Sequence, residues 1–277
     1  MSDSSLLKKP TRSTGAMFAR ALLASELSAD GRVSRLKTLR SDGPLVLRKS
    51  NPKGPEPLTH RSHEVARVAL AAGTAGPLGG DEYTLDVHVG AGSTLFLQEV
   101  SAMLVLPGVG GGQSHMSVTV TVDDGATFVW WAEPIIAAHR CNHRHDVRIA
   151  LAGSARMVLR EEMLLGRHGE APGDFTSRLR ITRDDAALYD QELSFGPATV
   201  GWNGAAVLDK ASAVGSIIAV DPAWANASPP ALPFHECAAL TPLAGPGVAI
   251  GALASDSLEL RRLLTQGLNE LGPPWAI

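Results

Sequence analysis

The hexapeptide Ser117-Val-Thr-Val-Thr-Val122 narrows what this chain can fold into more than any other stretch. Its apolar and hydroxyl side chains alternate with a period of two, which puts them on opposite faces of a strand and does not match a helical stripe. The same period runs through Tyr83-Thr-Leu85-Asp-Val87-His-Val89. Strand-like patterns recur at 94–97, 127–131, 147–151, 178–182, 189–195 and 214–220. Between them stand Gly90-Ala-Gly92 and Asp123-Asp124-Gly125, turn chemistry in which glycine supplies positive φ. The 28 glycines and 18 prolines are spread along the chain as punctuation between short elements. The expectation is a mostly β protein whose turns close antiparallel hairpins, with solvent on one sheet face.

Toward the N-terminus, Val33, Leu36, Leu39 and Leu45-Val-Leu47 are patterned, residues 51–59 read as a loop, and 63–72 fits either a strand or a short helix. At the other end the period changes. Asp256-Ser-Leu-Glu259 reads as a capping box, Leu260, Leu263, Leu264, Leu268 and Leu271 recur at helical spacing, and Gly272-Pro273-Pro274 stops the helix. No internal repeat and no long linker is legible, so residues 1–277 read as one domain with residues 1–15 frayed.

Net charge is −3, from 25 basic and 28 acidic residues, without the basic excess that a nucleic-acid or anionic-membrane partner calls for. Cys141 and Cys237 are too few for a disulfide framework, so a reducing cytoplasm is the expected compartment. Arg20 interrupts the apolar stretch 16–24, which is too short for an export signal. No run approaches the ~20 apolar residues that span a bilayer.

Few residues suggest chemistry. Gly76 to Asp81 is glycine-rich but lacks the Gly-Lys-Ser/Thr ending and the following helix of a phosphate loop. No serine occupies a Gly-x-Ser-x-Gly elbow. The densest set of metal-ligating types is His139, Cys141, His143 and His145, all of one strand parity. Imidazole and thiolate together suit zinc, nickel or copper. Val147, Ile149 and Leu151 share that parity, so an unbroken strand would turn the histidines onto the apolar face. A bend or bulge near Asn142–Asp146 is therefore expected. The bland alternative is a polar strand end, with Arg140, Arg144 and Arg148 interleaved.

Several weak motifs gain weight from their order. Gly31-Arg-Val-Ser-Arg-Leu36 is followed by Gly43-Pro-Leu45, then by Leu78-Gly79-Gly80-Asp81. Glu133-Pro134 follows paired tryptophans, Glu161 stands five residues before Gly166-Arg167, and Gly169-Glu170 closes the block. In order and spacing this set resembles the urease accessory protein UreD family, also called UreH. The family commonly carries a Thr-Pro-Gly-Ala-Thr-Lys-type segment where this chain has Gln98 to Pro107, and often a tryptophan where it has Arg160.

The resemblance implies stacked β-sheets coiled in a helix-like manner, with about two helices, a strand at 63–72, and no catalysis. It implies that urease apoprotein docks on one side and UreF, which recruits the GTPase UreG, on another; a homodimer within that complex is compatible with it. It implies that nickel passes in transit along an internal water-filled route lined or shaped by Asp81 and Glu161, with no permanently bound cofactor. It also implies support for carbamylation of the metal-bridging lysine. Alanine at Asp81 or Glu161 is then expected to impair nickel loading more than stability. On the residues alone, a metal-dependent β-fold enzyme using His139 to His145, or a generic β-sheet interaction module, remains an alternative.

Overall fold

The computed structural model describes residues 15–52, 56 and 64–277; the expectations for 1–14, 53–55 and 57–63 fall outside the described residues. In chain order the strands are β1 (Phe18–Leu27), β2 (Ser34–Arg40), β3 (Leu45–Lys49), β4 (Ala66–Ala72), β5 (Glu82–Val89) and β6 (Thr94–Glu99). They continue with β7 (Met103–Val105), β8 (Ser114–Val122), β9 (Thr127–Trp131), β10 (Ile135–Ala137), β11 (Asn142–Leu151) and β12 (Arg156–Leu164). The last are β13 (Asp174–Arg183), β14 (Ala186–Phe195), β15 (Ala213–Val220), β16 (Leu232–His235), β17 (Ala238–Pro242) and β18 (Gly247–Ala254), followed by the helix α1 (Ser257–Asn269). A short 3-10 turn at Pro222–Ala225 is the second helical piece.

Two sheets stack. One has seven strands in the order β14-β13-β11-β8-β5-β1-β2; the other has eleven, with β16-β17-β18-β15-β12-β9-β6-β4-β3 as its main path and β7 and β10 beside β12. The middle of each sheet is parallel: β5 lies on β8 and β8 on β11, while β6 lies on β9 and β9 on β12. Antiparallel pairs such as β13–β14, β15–β18 and β3–β4 flank this centre. The chain therefore coils, alternating between sheets.

This corrects the hairpin reading of the turns. Gly90–Gly92 and Asp123–Gly125 do not fold a strand back on its neighbour. They are corners at which the chain leaves the seven-stranded sheet for the eleven-stranded one, and residues 152–154 make a third. The corners stack: Gly92 N–H donates to Asp124 O at 2.9 Å, and Gly125 N–H to Ser154 Oγ at 2.8 Å. A hairpin and a corner need the same turn residues, so the local sequence does not separate them. Burial does. In β6 and β9 residues 94–97 and 127–130 are all buried, because the eleven-stranded sheet is covered on both faces, as parallel sheets are. One face meets Leu85, Val87, Val118, Val120, Val147 and Ile149 across the sandwich. The other meets α1 through Leu260, Leu263, Leu264 and Leu268.

The helix begins as its capping box implies: Asp256 accepts the Glu259 N–H at 2.9 Å. Glu259 reaches back one residue further than expected, taking the Ser255 hydroxyl at 2.8 Å. Residues 66–72 form a strand, as expected.

Candidate functional site: the interior between the sheets

Asp81 sits where the glycine turn meets β5. Its carboxylate accepts three hydrogen bonds, from Met17 N–H (2.8 Å), Leu78 N–H (2.9 Å) and Tyr83 O–H (2.8 Å), and the residue is 3% exposed. Gly79 packs backbone to backbone on Gly108; a Cβ there would lie 2.7 Å from the Gly108 nitrogen, so no side chain fits. Gly80 has φ +99°, which glycine alone tolerates readily. This signature holds the chain in place, and Asp81 has little carboxylate left to offer a ligand.

The second glycine motif is also a closed turn. A Cβ on Gly166, at φ +97°, would lie 2.2 Å from the Glu170 carbonyl. Arg167 grips the Glu170 carboxylate at 2.6 and 2.8 Å and holds its pKa down at about 2. Gly169 takes φ +71° to complete the turn.

Glu133 joins a cluster of opposite charges behind α1. Glu162, whose side chain is 0% exposed, faces Arg160 and Arg261 at 3.0 Å each, and Arg261 also binds Glu133. The Arg160 guanidinium directs its N–H groups to the Ala132 carbonyl and lies 4.4 Å over the Trp131 ring. Glu162 Oε1 therefore keeps ion-pair distance to Arg160 without a hydrogen bond of its own.

The His139 to His145 set is split by the fold. His139 lies exposed in a turn with Arg140, which adopts φ 62°. Cys141 is buried with Sγ 3.8 Å from the Asp174 carbonyl; burial pushes its pKa to about 11, so it is a thiol at neutral pH. The expected bend is not present. β11 pairs without interruption with β13 over Asn142–Leu151, and with β8 over His143–Leu151. His143 and His145 therefore point inward, with the valines. His143 Nδ1 is 2.8 Å from Ser114 Oγ, its ring stacks on Phe175 at 5.5 Å, and His143 Nε2 and His145 Nδ1 are buried without partners. Desolvation keeps both neutral: the His143 pKa falls well below the ordinary value and that of His145 to about 4. Among the described residues no three His, Cys, Asp or Glu side chains gather as a ready ligand set.

Inward from β12, Glu161 differs from Asp81 in every respect. It has no hydrogen bond or ion pair among the described residues, and desolvation alone raises its pKa to about 7. It stands on the wall between two spaces. On one side is an open groove of about 820 Å³, where Ser177, Tyr189, Gln191, His235 and Cys237 join apolar side chains. On the other is a cavity of about 20 Å³ that it shares with His145 and Glu99. A third space, of about 40 Å³, follows past Glu99 and is walled by Tyr83, whose hydroxyl is bonded to Asp81. Shared wall residues set the three spaces side by side, Glu99 between the two small ones and Glu161 between the middle one and the groove, with Asp81 behind the Tyr83 end. The resemblance paired these two residues; Glu161 lines two of the three spaces, and Asp81 lines none of them.

Sequence reasoning passed over Glu99. It ends β6, its carboxylate accepting from Trp130 Nε1–H and Glu133 N–H at 3.2 Å each, and desolvation raises its pKa to about 7. Its one signal is that a carboxylate follows the apolar Leu95-Phe-Leu97 run of a doubly covered strand.

Comparison with known proteins bears on what this interior serves. The sequence profile of the UreD urease accessory protein matches residues 19–276. The urease accessory protein UreD of Streptomyces coelicolor is 41% identical over 85% of this chain and 90% of its own length. That of Streptomyces avermitilis is 40% identical over 88% and 94%, and that of Frankia alni 39% identical over 95% and 96%.

Proposed function

The chain belongs to the UreD urease accessory protein family, and from that premise we propose that it passes nickel to apo-urease through the interior between its two sheets, without turnover of its own. The observation that carries this reading is the row of three spaces from the Asp81–Tyr83 pair to Glu161. A carboxylate packed among apolar walls without a counter-charge is costly to ionise, and a passing cation supplies that counter-charge. Donors strung along a path suit an ion that must also leave.

The scaffold role goes with it: urease apoprotein and UreF dock on separate surfaces, UreF recruits UreG, and a homodimer within that complex is compatible with the reading. No described helix is long and apolar enough to cross a membrane. The route contacts the ion through Glu161 and His145; His143, packed on Ser114 and Phe175, lines none of the three spaces, and exposed His139 and the Cys141 thiol stand apart from them too.

Glu161→Gln tests the reading. In a host lacking the wild-type gene, urease purified from cells with the variant should carry on the order of tenfold less nickel, while the variant folds and accumulates normally. Nickel content equal to that with wild type would overturn the route. Hydrolysis of urea by the purified chain at an enzyme-like rate would overturn the absence of turnover.

A further inference from the structure

The row of spaces has two junctions of the same construction. Glu99 and Met103 both wall the space beside Tyr83 and the middle space. Glu161 and Met163 both wall the second space and the groove. Each junction therefore pairs a carboxylate with a thioether. The repetition follows from the sheet: Met103 on β7 and Met163 on β12 both register with Ile135 on β10 between them. Between the junctions His145, 5% exposed, contributes a buried Nδ1 without a partner.

The size of the middle space matters. A cavity of about 20 Å³ holds about one water molecule. A divalent ion with its full hydration shell does not fit, so an ion that crosses must exchange water for side-chain contact. The available contacts are carboxylate, thioether and imidazole. Imidazole suits nickel and thioether is a soft donor, whereas magnesium and calcium take oxygen ligands.

Resting on the nickel-route reading above, we infer that this middle space is the selectivity constriction of the route. Glu99 with Met103 and Glu161 with Met163 form its two gates, and His145 is the donor between them. Glu99 hands the ion across, and the two methionines exclude hard cations. The hydrogen bonds from Trp130 and Glu133 fix the Glu99 carboxylate at the junction.

The test uses the full chain in a reconstituted mixture of apo-urease and its accessory proteins, with limiting nickel, with or without excess magnesium. Nickel bound to urease is the readout. Glu99→Gln should lower loading about tenfold. The double variant Met103→Leu/Met163→Leu conserves core volume, so its fold is retained. Its loading should become sensitive to magnesium, falling about tenfold when magnesium is added, while wild-type loading is unchanged. A role confined to packing would not produce that sensitivity. If Glu161→Gln is deficient but a folded Glu99→Gln loads normally and the double variant ignores magnesium, the constriction is overturned and the route stands. If Glu161→Gln also loads normally, the route falls and the constriction with it. Should Glu99→Gln fail to fold, the double variant decides alone.

Discussion

The resemblance singled out Asp81 and Glu161 together, yet the two carboxylates live under opposite conditions. Asp81 is saturated by three donors and ties the start of β1 and the glycine turn to β5. The Glu161 carboxylate makes no hydrogen bond or ion pair among the described residues and faces space on both sides. Membership of a sequence motif does not by itself separate a residue that serves the fold from one that serves function. Hydrogen-bond saturation does, because a carboxylate whose lone pairs are taken must lose them to bind anything else.

The comparison breaks most directly at Asp81. Asp81→Ala leaves two backbone N–H groups and the Tyr83 hydroxyl without their acceptor, and should cost about 3 kcal/mol in urea denaturation. This revises the expectation from sequence of a small stability effect. An unchanged midpoint would return Asp81 to the same class as Glu161. Glu161→Gln, by contrast, should not destabilise the chain near neutral pH.

The pH dependence sharpens the contrast further. Between about pH 4 and 6.5 the unfolded chain holds more protons on His145 than the folded one, so this group makes stability rise with pH. Between 4.5 and about 7 the folded chain holds more protons on Glu161, so this group makes stability fall with pH. In the window the two groups share, about pH 4.5 to 6.5, His145→Gln removes a contribution that rises with pH and Glu161→Gln one that falls, so the two variants' stability profiles should tilt in opposite directions from that of the wild type. Urea midpoints measured across this range decide, and identical profiles for the two variants would refute the assignment of opposite signs. The smallest effect belongs to Arg167→Ala. Its pair with Glu170 lies at the surface, the Arg167 side chain 55% exposed, and the variant should melt with wild type within error.

Much of this was legible locally. The strands follow from the alternation of Tyr83 to Val89 and of Ser117 to Val122, and the helix from Asp256, Glu259 and its leucine spacing. The coil repeat was not. Successive turns share no motif, because a corner asks only for turn residues and a strand only for alternation. The inward parity of His143 and His145 was visible, but the break expected at Asn142–Asp146 was misplaced; it falls at Arg140, whose positive φ carries no glycine to announce it.

The sequence by itself determined the alternating strands such as β5 and β8, the C-terminal helix and, through its ordered motifs, which family the chain belongs to, because each of these is written in near neighbours; β12 and β18, without that alternation, were not legible. Only the tertiary structure decided that β5 faces β6 across a core instead of pairing with it. Only it decided that Asp81 is spent on hydrogen bonds while Glu161 is not. And only it brought Glu99, His145 and Glu161, distant in sequence, around one small space. The physical reason is the same throughout: sheet pairing and desolvation depend on what other coils of the chain bring to a residue, and the residue's own neighbours do not encode that.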